Sequence, residues 1–299
     1  MKKYLITGAN GLLGQNILSQ LNNRKDIQVF ATGRGEARYG DLKNVIYSSV
    51  DLTNSSQVDE LIHQIQPDVC IHTAAMTNVD ECENNKEACW DANVNAVAYL
   101  LNSCSQFGTH FINVSTDFVF DGEKGNYVET DEPNPVSYYG ESKLAAEKLV
   151  EAYAYKWSNL RTIIVYGVVH NMSRSNLVLW AKNNLEEGNT INVINDQFRA
   201  PTWAGDLAWA CIRVADIGAV GHFHISSQEI KSILELVYEV CDHFNLDKSL
   251  VNPVTSEELN QPAKRPLKTG FNIEKAKNEL GYQPLTFTQG IEKMMNLLR

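Results

Sequence analysis

The chain has 299 residues, 43% of them hydrophobic, and its 18 glycines bring the apolar share to that of ordinary soluble globular proteins, which excludes a disordered or fibrous chain. A chain this long buries roughly three quarters of its unfolded surface, so it needs no disulfide or metal staple. Its 26 Lys and Arg against 36 Asp and Glu give a formal charge of -10, which repels phosphate backbones at long range and argues against nucleic acid as a partner, while leaving room for a local basic pocket.

The apolar pattern opens with a strand over 3–7 and a helix from 11 to about 21. Further strands are predicted at 28–32, 45–49, 69–73, 110–114 and 161–166, with helices near 55–65, 85–106 and 137–156 between them. Parallel neighbours need crossover connections, so this alternation predicts an α/β fold with a doubly wound, Rossmann-like parallel sheet. Its ligand site should lie outside the carboxyl ends of the strands. After Gly167 the rhythm changes to helices at 175–185 and 204–214, an apolar segment at 191–194, a last strand at 222–225, and helices at 229–243, 272–280 and 287–298. Residues 1–167 thus read as a nucleotide-binding domain, with a stretch at about 203–225 returning to it, and 168–202 with 226–299 as a smaller C-terminal substrate-binding lobe sharing its cleft.

Met1-Lys2-Lys3 imitates the start of a signal peptide, but the apolar stretch behind it ends at Gly8, and no run approaches the ~20 apolar residues of a membrane span. A cytoplasmic protein with no membrane contact is expected. Cys70, Cys82, Cys89, Cys104, Cys211 and Cys241 form no C-x-x-C pair and no zinc-like cluster with histidine, so they read as reduced core thiols and no metal site is expected.

The strongest local signal is Thr7-Gly8-Ala9-Asn10-Gly11-Leu12-Leu13-Gly14, set where a strand ends and a helix begins. Glycines at 8, 11 and 14 permit a tight turn, bring backbone N–H groups up to a pyrophosphate and allow close helix packing, and the helix N-terminus favours negative charge. A glycine-rich turn without a ligand is the competing reading. Cofactor choice is read after the second strand, where Val29-Phe30-Ala31-Thr32-Gly33-Arg34 offers a guanidinium and no carboxylate. Arg34 suits the 2′-phosphate of NADP, the alternative being a solvated surface arginine. Asp51-Leu52 either borders the adenine or caps the next helix.

Tyr139 and Lys143 form Tyr-x-x-x-Lys at the start of a helix that Ser137 can cap. Positions i and i+4 share a helix face, so an ammonium beside a phenol can lower the phenol pKa and help it exchange a proton with a carbonyl oxygen. The pattern alone is weak, since this composition yields roughly 0.7 occurrences by chance. A decoy, Tyr39-x-x-x-Lys43, stands in a turn-like stretch. Ser115-Thr116-Asp117 ends the apolar strand at the rim of the sheet, where a hydroxyl either donates to a substrate carbonyl or caps the strand end.

Taken together, these motifs resemble the extended short-chain dehydrogenase/reductase superfamily and, more narrowly, its dTDP-4-dehydrorhamnose reductase-like branch, over essentially the whole chain. The matching stretches are Ile6 to Gly14, Ala74-Ala75-Met76-Thr77-Asn78-Val79-Asp80, Ser115 to Gly122, Tyr139-Gly140-Glu141-Ser142-Lys143-Leu144, Asp196 to Thr202, and Arg265-Pro266. The resemblance implies NADP(H), with NAD(H) as the alternative, held by Gly8, Asn10, Gly11, Leu12, Leu13, Gly14, Arg34, Asp51, Leu52, Ala74, Ala75, Tyr139 and Lys143. It implies a catalytic set of Thr116, Tyr139 and Lys143, with Thr77, Val79, Asp117, Phe118, Asn176, Arg199 and Trp203 on the substrate side. Hydride would pass to the C4 carbonyl of a nucleotide-linked 4-keto-6-deoxysugar, with dTDP-4-dehydrorhamnose giving dTDP-L-rhamnose as the leading case.

Three positions depart from the branch: Met76 where His or Tyr is usual, Phe118 where Tyr is usual, and Arg199 where rhamnose-forming members carry Gly. Arg199 either meets a sugar-nucleotide phosphate, marks a different substrate, or bridges the two lobes. The rival reading is a cofactor-binding regulator, because the branch also resembles the regulatory subunit of a methionine adenosyltransferase. An epimerase or dehydratase on the same scaffold is the third, and a homodimer is compatible with all three.

Overall fold

A computed structural model of the chain describes residues 1–40, 42–172 and 175–298. The first half runs β1 (Lys2–Thr7), α1 (Leu12–Leu21), β2 (Ile27–Gly33), β3 (Val45–Ser49), α2 (Ser55–Ile65), β4 (Val69–His72), α3 (Val79–Asn84), α4 (Lys86–Trp90), α5 (Ala96–Ser105), β5 (His110–Thr116), α6 (Tyr138–Glu151) and β6 (Trp157–Thr162). There follow β7 (Val165–Tyr166), α7 (Leu177–Glu186), β8 (Ile191–Ile194), β9 (Phe198–Arg199), β10 (Thr202–Trp203), α8 (Ala204–Ile217) and β11 (Gly221–Ile225). The chain closes with β12 (Lys231–Ser232), α9 (Ile233–Phe244), β13 (Val251–Val254), α10 (Ser256–Leu259) and α11 (Phe287–Leu298).

Seven strands form one sheet in the order β3-β2-β1-β4-β5-β6-β11, with every neighbouring pair parallel. From β1 the chain builds outward to β3, then returns to place β4, β5 and β6 on the other side. The crevice at this reversal, outside the ends of β1 and β4, is where such sheets take ligands. Alternate side chains of each strand serve opposite faces. Tyr4 and Ile6 join the core under α1 and α8, whereas Leu5 joins the one under α2, α5 and α6. Both faces are covered, which is why the strands read as continuous apolar runs. A third core gathers Val178, Ile191, Val193, Leu236, Val240, Phe287 and Ile291, from α7, β8, α9 and α11.

The structure departs from the sequence reading at several elements. The strand placed at 161–166 starts earlier, as β6 at Trp157, because Ser158 and Asn159, turn-prone residue types, are satisfied inside the sheet, and it breaks at Ile164, whose φ is +33°, before β7. Ser158 Oγ donates to Ala219 O at 2.7 Å, and Asn159 Oδ1 accepts from Asn113 Nδ2 at 2.8 Å. The helix expected over 85–106 is α4, a π-helical turn at Asp91–Asn95 and α5. The one expected at 272–280 amounts to a π-helical turn, Ala276–Leu280. Strand β13, whose Asn252-Pro253 gives no strand signal, pairs in parallel with β8. All six cysteines are buried and none forms a disulfide. Among the described residues no helix is long and apolar enough to cross a membrane.

Candidate active site

The glycine loop leaves β1 with Gly8 in the left-handed region at φ +66°, and a Cβ there would lie 2.7 Å from Ala74 N. At Gly14 a Cβ would lie 2.3 Å from Gly8 O, so α1 packs on the loop only because that position is glycine. Exposed Gly11 caps α1 with no side-chain bond, and its first turn holds no acidic residue, which leaves the positive end of the helix dipole to an outside anion. This cradle fits a pyrophosphate. Leu12 and Leu13, both half-buried, open the helix, and Ala74 and Ala75 line the chain leaving β4 beside it.

Asn10 does its work within the protein. Its Nδ2 donates to Glu36 O at 2.9 Å, to Tyr47 Oη at 3.0 Å and to Arg34 O at 3.3 Å, while its Oδ1 accepts from Arg38 N at 2.9 Å. The loop that carries exposed Arg34 is thereby pinned to the glycine loop. Asp51 forms a turn in which Oδ1 accepts from Thr53 N and Thr53 Oγ1, and those bonds, with a smaller contribution from the Arg34 charge, hold its carboxyl below the usual range. Asn54, not Asp51, caps α2, and Leu52 is buried in the core beneath α2 and α5.

Ser137 Oγ accepts from Gly140 N at 3.3 Å and starts α6, which brings Tyr139 and Lys143 up to the end of β5. Gly140 is indispensable to that approach, because a Cβ there would lie 2.2 Å from Phe118 O. The Phe118 ring stands edge-on to the Tyr139 phenol with centroids 5.6 Å apart, and the Thr116 hydroxyl lies near enough to bear on its titration. Burial pushes the phenol pKa up, opposed by the Thr116 hydroxyl and reinforced by the Asp117 charge. The sequence reading had Lys143 lowering that pKa, but in the protein alone desolvation prevails. Lys143 is itself 2% exposed, and burial pulls its pKa down to about 8 against the attraction of Glu147. Its ammonium has no hydrogen-bond or ion-pair partner among the described residues.

Thr116 Oγ1 donates to Asp117 Oδ1 at 3.1 Å and accepts from Phe118 N at 3.2 Å. Asp117 is 2% exposed; its Oδ2 accepts from Thr269 Oγ1 and lies 3.6 Å from Arg199 Nε. Arg199 is buried, and its remaining donors are spent on the protein. Nη1 donates to Phe198 O at 2.8 Å and Leu267 O at 3.1 Å, and Nη2 donates to Pro266 O at 2.6 Å and Gln197 Oε1 at 3.2 Å. The guanidinium therefore links the end of β5 to the segment at 265–269.

Asn176 is likewise engaged in the fold, capping α7 through Leu179 N at 3.2 Å and donating to Gly167 O at 2.7 Å. Trp203 packs on Tyr166 with ring centroids 5.7 Å apart, in the core of the later half of the chain. Val79, Met76, Phe118 and Tyr138 pack around Tyr139, Cys82 and Cys89, and Thr77 stands exposed just before α3. Two contributors gave no sequence signal. Asn93, in the π-helical turn, accepts from Met76 N at 2.8 Å and donates to Met76 O and to Ser142 Oγ, both at 3.0 Å. Thr269 reaches Asp117 from 152 residues away. An open cavity of about 620 Å³ adjoins the site, lined by Asp121, Val136, Gln197, Ser256, Arg265 and Lys268 among others.

Beside this sheet, glycine cradle and Tyr–Lys helix stands a match of residues 1–299 to the RmlD substrate binding domain family. The chain belongs to that family. Among its relatives is a probable low-salt glycan biosynthesis reductase, Agl14, of Haloferax volcanii, 33% identical over 280 residues that cover 92% of this chain and 91% of that protein. The methionine adenosyltransferase 2 subunit beta of Danio rerio is 32% identical over 270 residues, covering 89% of this chain and 81% of the other. A dTDP-4-dehydrorhamnose reductase of Bacillus anthracis, solved in complex with NADP, superposes with a TM-score of 0.87 at 27% identity, covering 99% of this chain and 100% of that one. Family membership accounts for the sheet order and the placement of the glycine loop beside β4.

Proposed function

We propose that the chain is an NADPH-dependent reductase of the C4 carbonyl of a nucleotide-linked 4-keto-6-deoxysugar, with dTDP-4-dehydrorhamnose to dTDP-L-rhamnose as the leading reaction and NAD(H) as the alternative cofactor. The observation that carries this reading is the buried Tyr139 phenol, set beside Thr116 at the carboxyl end of β5 and one helical turn from the buried Lys143. The names of the Haloferax and Bacillus relatives support a reductase, and the glycine cradle fits a dinucleotide pyrophosphate. When bound, the nicotinamide supplies the hydride. Tyr139, kept protonated by burial, gives its proton to the oxygen that gains charge, Lys143 holds the cofactor ribose and favours the phenolate left behind, and Arg34 meets the 2′-phosphate. Residues 168–202 and 226–299 form the substrate lobe, and the cavity beside Arg265 and Lys268 takes the nucleotide part.

The Danio relative supports a second reading, a cofactor-binding subunit of another enzyme. Single-turnover NADPH oxidation against a panel of dTDP-, GDP- and UDP-4-keto-sugars separates the two. Tyr139→Phe keeps the ring and removes the donor, so turnover should fall by roughly 10² to 10⁴ with NADPH binding nearly unchanged. Near-full activity in that variant rules out this chemistry, and inactivity of the unmutated protein on every sugar favours the subunit.

A further inference from the structure

The start of α8 borders a second open cavity, of about 450 Å³, walled by residues of α1, β10, α8, α11 and the chain at 281–285. It shares no lining residue with the cavity beside Arg265 and Lys268, and none of its residues belongs to the glycine loop or to the set Thr116, Tyr139 and Lys143. Trp209, 38% exposed, stacks on buried Tyr282 with ring centroids 6.2 Å apart and planes 29° apart, so its indole is braced by one ring and still presents apolar surface to the cavity. Asp206, three residues earlier, shares that face of α8. Its Oδ2 accepts from Leu285 N at 2.8 Å, and its Oδ1 has no partner among the described residues. Trp203 is 7% exposed, yet its Nε1–H also has no partner among the described residues, although a buried indole N–H usually finds one. Gly205 makes room for it, since a Cβ there would lie 2.4 Å from Trp203 Nε1.

We propose that this cavity binds the ring of a neutral sugar, at a site separate from the reductase site proposed above. A buried donor, a carboxylate oxygen and an uncovered aromatic ring set three demands on one ligand. An anion would suit Trp203 Nε1 and the Lys293 ammonium but meets the Asp206 charge; a cation would suit Asp206 and the rings but meets an N–H and Lys293 in the same cavity. A hydroxyl both gives and accepts, so neighbouring hydroxyls of one sugar ring satisfy Trp203 Nε1 and Asp206 Oδ1 together while the C–H face of the ring lies on Trp209. Gln20 Nε2 donates to Gly205 O at 2.8 Å, which leaves its carbonyl oxygen for a further hydroxyl. The volume falls among small-molecule sites, roughly 300 to 1,000 Å³.

The test reads the indole N–H signals of the five tryptophans by NMR in the full ¹⁵N-labelled chain, with Trp203→Phe and Trp209→Phe assigning two of them. Methyl glucoside, methyl galactoside and methyl rhamnoside are titrated separately, beside tetramethylammonium, inorganic phosphate and uracil. With at least one sugar the Trp203 and Trp209 signals should move together and saturate. Trp209→Ala, at an exposed position, should weaken that sugar about tenfold, read at Trp203. Asp206→Asn keeps an acceptor for Leu285 N but replaces the free carboxylate oxygen, and should weaken it about tenfold or more. Should Asp206→Asn not fold, Trp209→Ala decides by itself. The proposal is overturned by an absence of saturable shifts with all three sugars, by tighter binding of tetramethylammonium, phosphate or uracil than of every sugar, or by unchanged affinity in Trp209→Ala, which would put the sugar elsewhere on the chain. No readout involves reduction, so failure here leaves the reductase reading standing, and failure of that reading leaves this site standing.

Discussion

At Lys143 burial and catalysis pull in opposite directions. An ammonium with no partner among the described residues, on a side chain 2% exposed, costs stability in proportion to how far its pKa has fallen, here from about 10.5 to about 8. Below pH 8 the group is charged in both folded and unfolded chains, and the cost is full, on the order of 3 kcal/mol. Between about pH 8 and 10.5 the unfolded chain holds the extra proton, so stability attributable to this residue rises with pH. Lys143→Met should therefore stabilise the protein at pH 6.5 while abolishing turnover, and the stabilisation should shrink by more than half at pH 9.5. Urea unfolding of both proteins at the two pH values checks this; an unchanged difference would place the proton elsewhere. The Tyr139–Lys143 spacing was legible in the sequence because i and i+4 must share a face. The direction of the phenol pKa was not, since desolvation depends on Phe118, Cys82 and Cys89 arriving from three other elements.

The element that positions the site most tightly is the π-helical turn Asp91–Asn95, between α4 and α5. One extra residue in a helical turn re-aims a side chain, and such turns recur at functional sites. Here it delivers Asn93 to the backbone of Met76 on one side and to Ser142, in the first turns of α6, on the other. Ser142 Oγ passes the constraint to Tyr139 O at 2.7 Å. Asn93→Ala leaves a buried N–H, a carbonyl and a hydroxyl short of partners, and should destabilise the fold by about 2–3 kcal/mol. Because the loop at 74–77 and the start of α6 then move independently, turnover should fall more than cofactor affinity. Equal loss of both would mean that Asn93 merely stabilises. No periodicity reveals this turn, because the apolar residues of 85–106 fit one continuous helix. What was readable at this scale was the βα alternation, the glycine loop and the cap at Ser137, each fixed by local chemistry. Strand β6 was misplaced for the opposite reason: the partners of Ser158 and Asn159 lie in other strands.

Across the whole molecule, the sheet presents its ligand edge and the later chain meets it through backbone bonds at Gly122 and Tyr127 and through two side-chain groups. One is the Asp117–Arg199–Thr269 group; the other is Arg265, which binds Asp80 on α3 in bidentate fashion at 2.8 and 3.1 Å and also donates to Ala263 O. Neither was visible in the sequence, because each joins residues far apart in the chain, although Arg265-Pro266 stood out as a motif. The Arg265 contact is partly exposed, so its net contribution to stability is modest, about 1 kcal/mol or less. Its effect on motion is larger, because it is where segment 263–269, the wall of the 620 Å³ cavity, is tied to α3. The Asp80 carboxyl is held below its usual range chiefly by Arg265. The linkage is present above the unfolded carboxyl pKa, near 4, and is lost as pH falls through the lower folded value. Arg265→Ala should reproduce that loss at neutral pH. Amides of 263–269 should exchange with deuterium several-fold faster than in the unmutated protein, while β1, β4 and β5 stay protected, because their cores do not involve Arg265. If the segment binds the nucleotide part of the substrate, KM should rise with kcat changing little, since a looser wall weakens ground and transition states alike. Unchanged exchange in 263–269 would mean that the Arg199 contacts to Pro266 and Leu267, with the backbone bonds of Leu267, Lys268 and Thr269 to Phe198 and Gly122, hold the segment without Arg265.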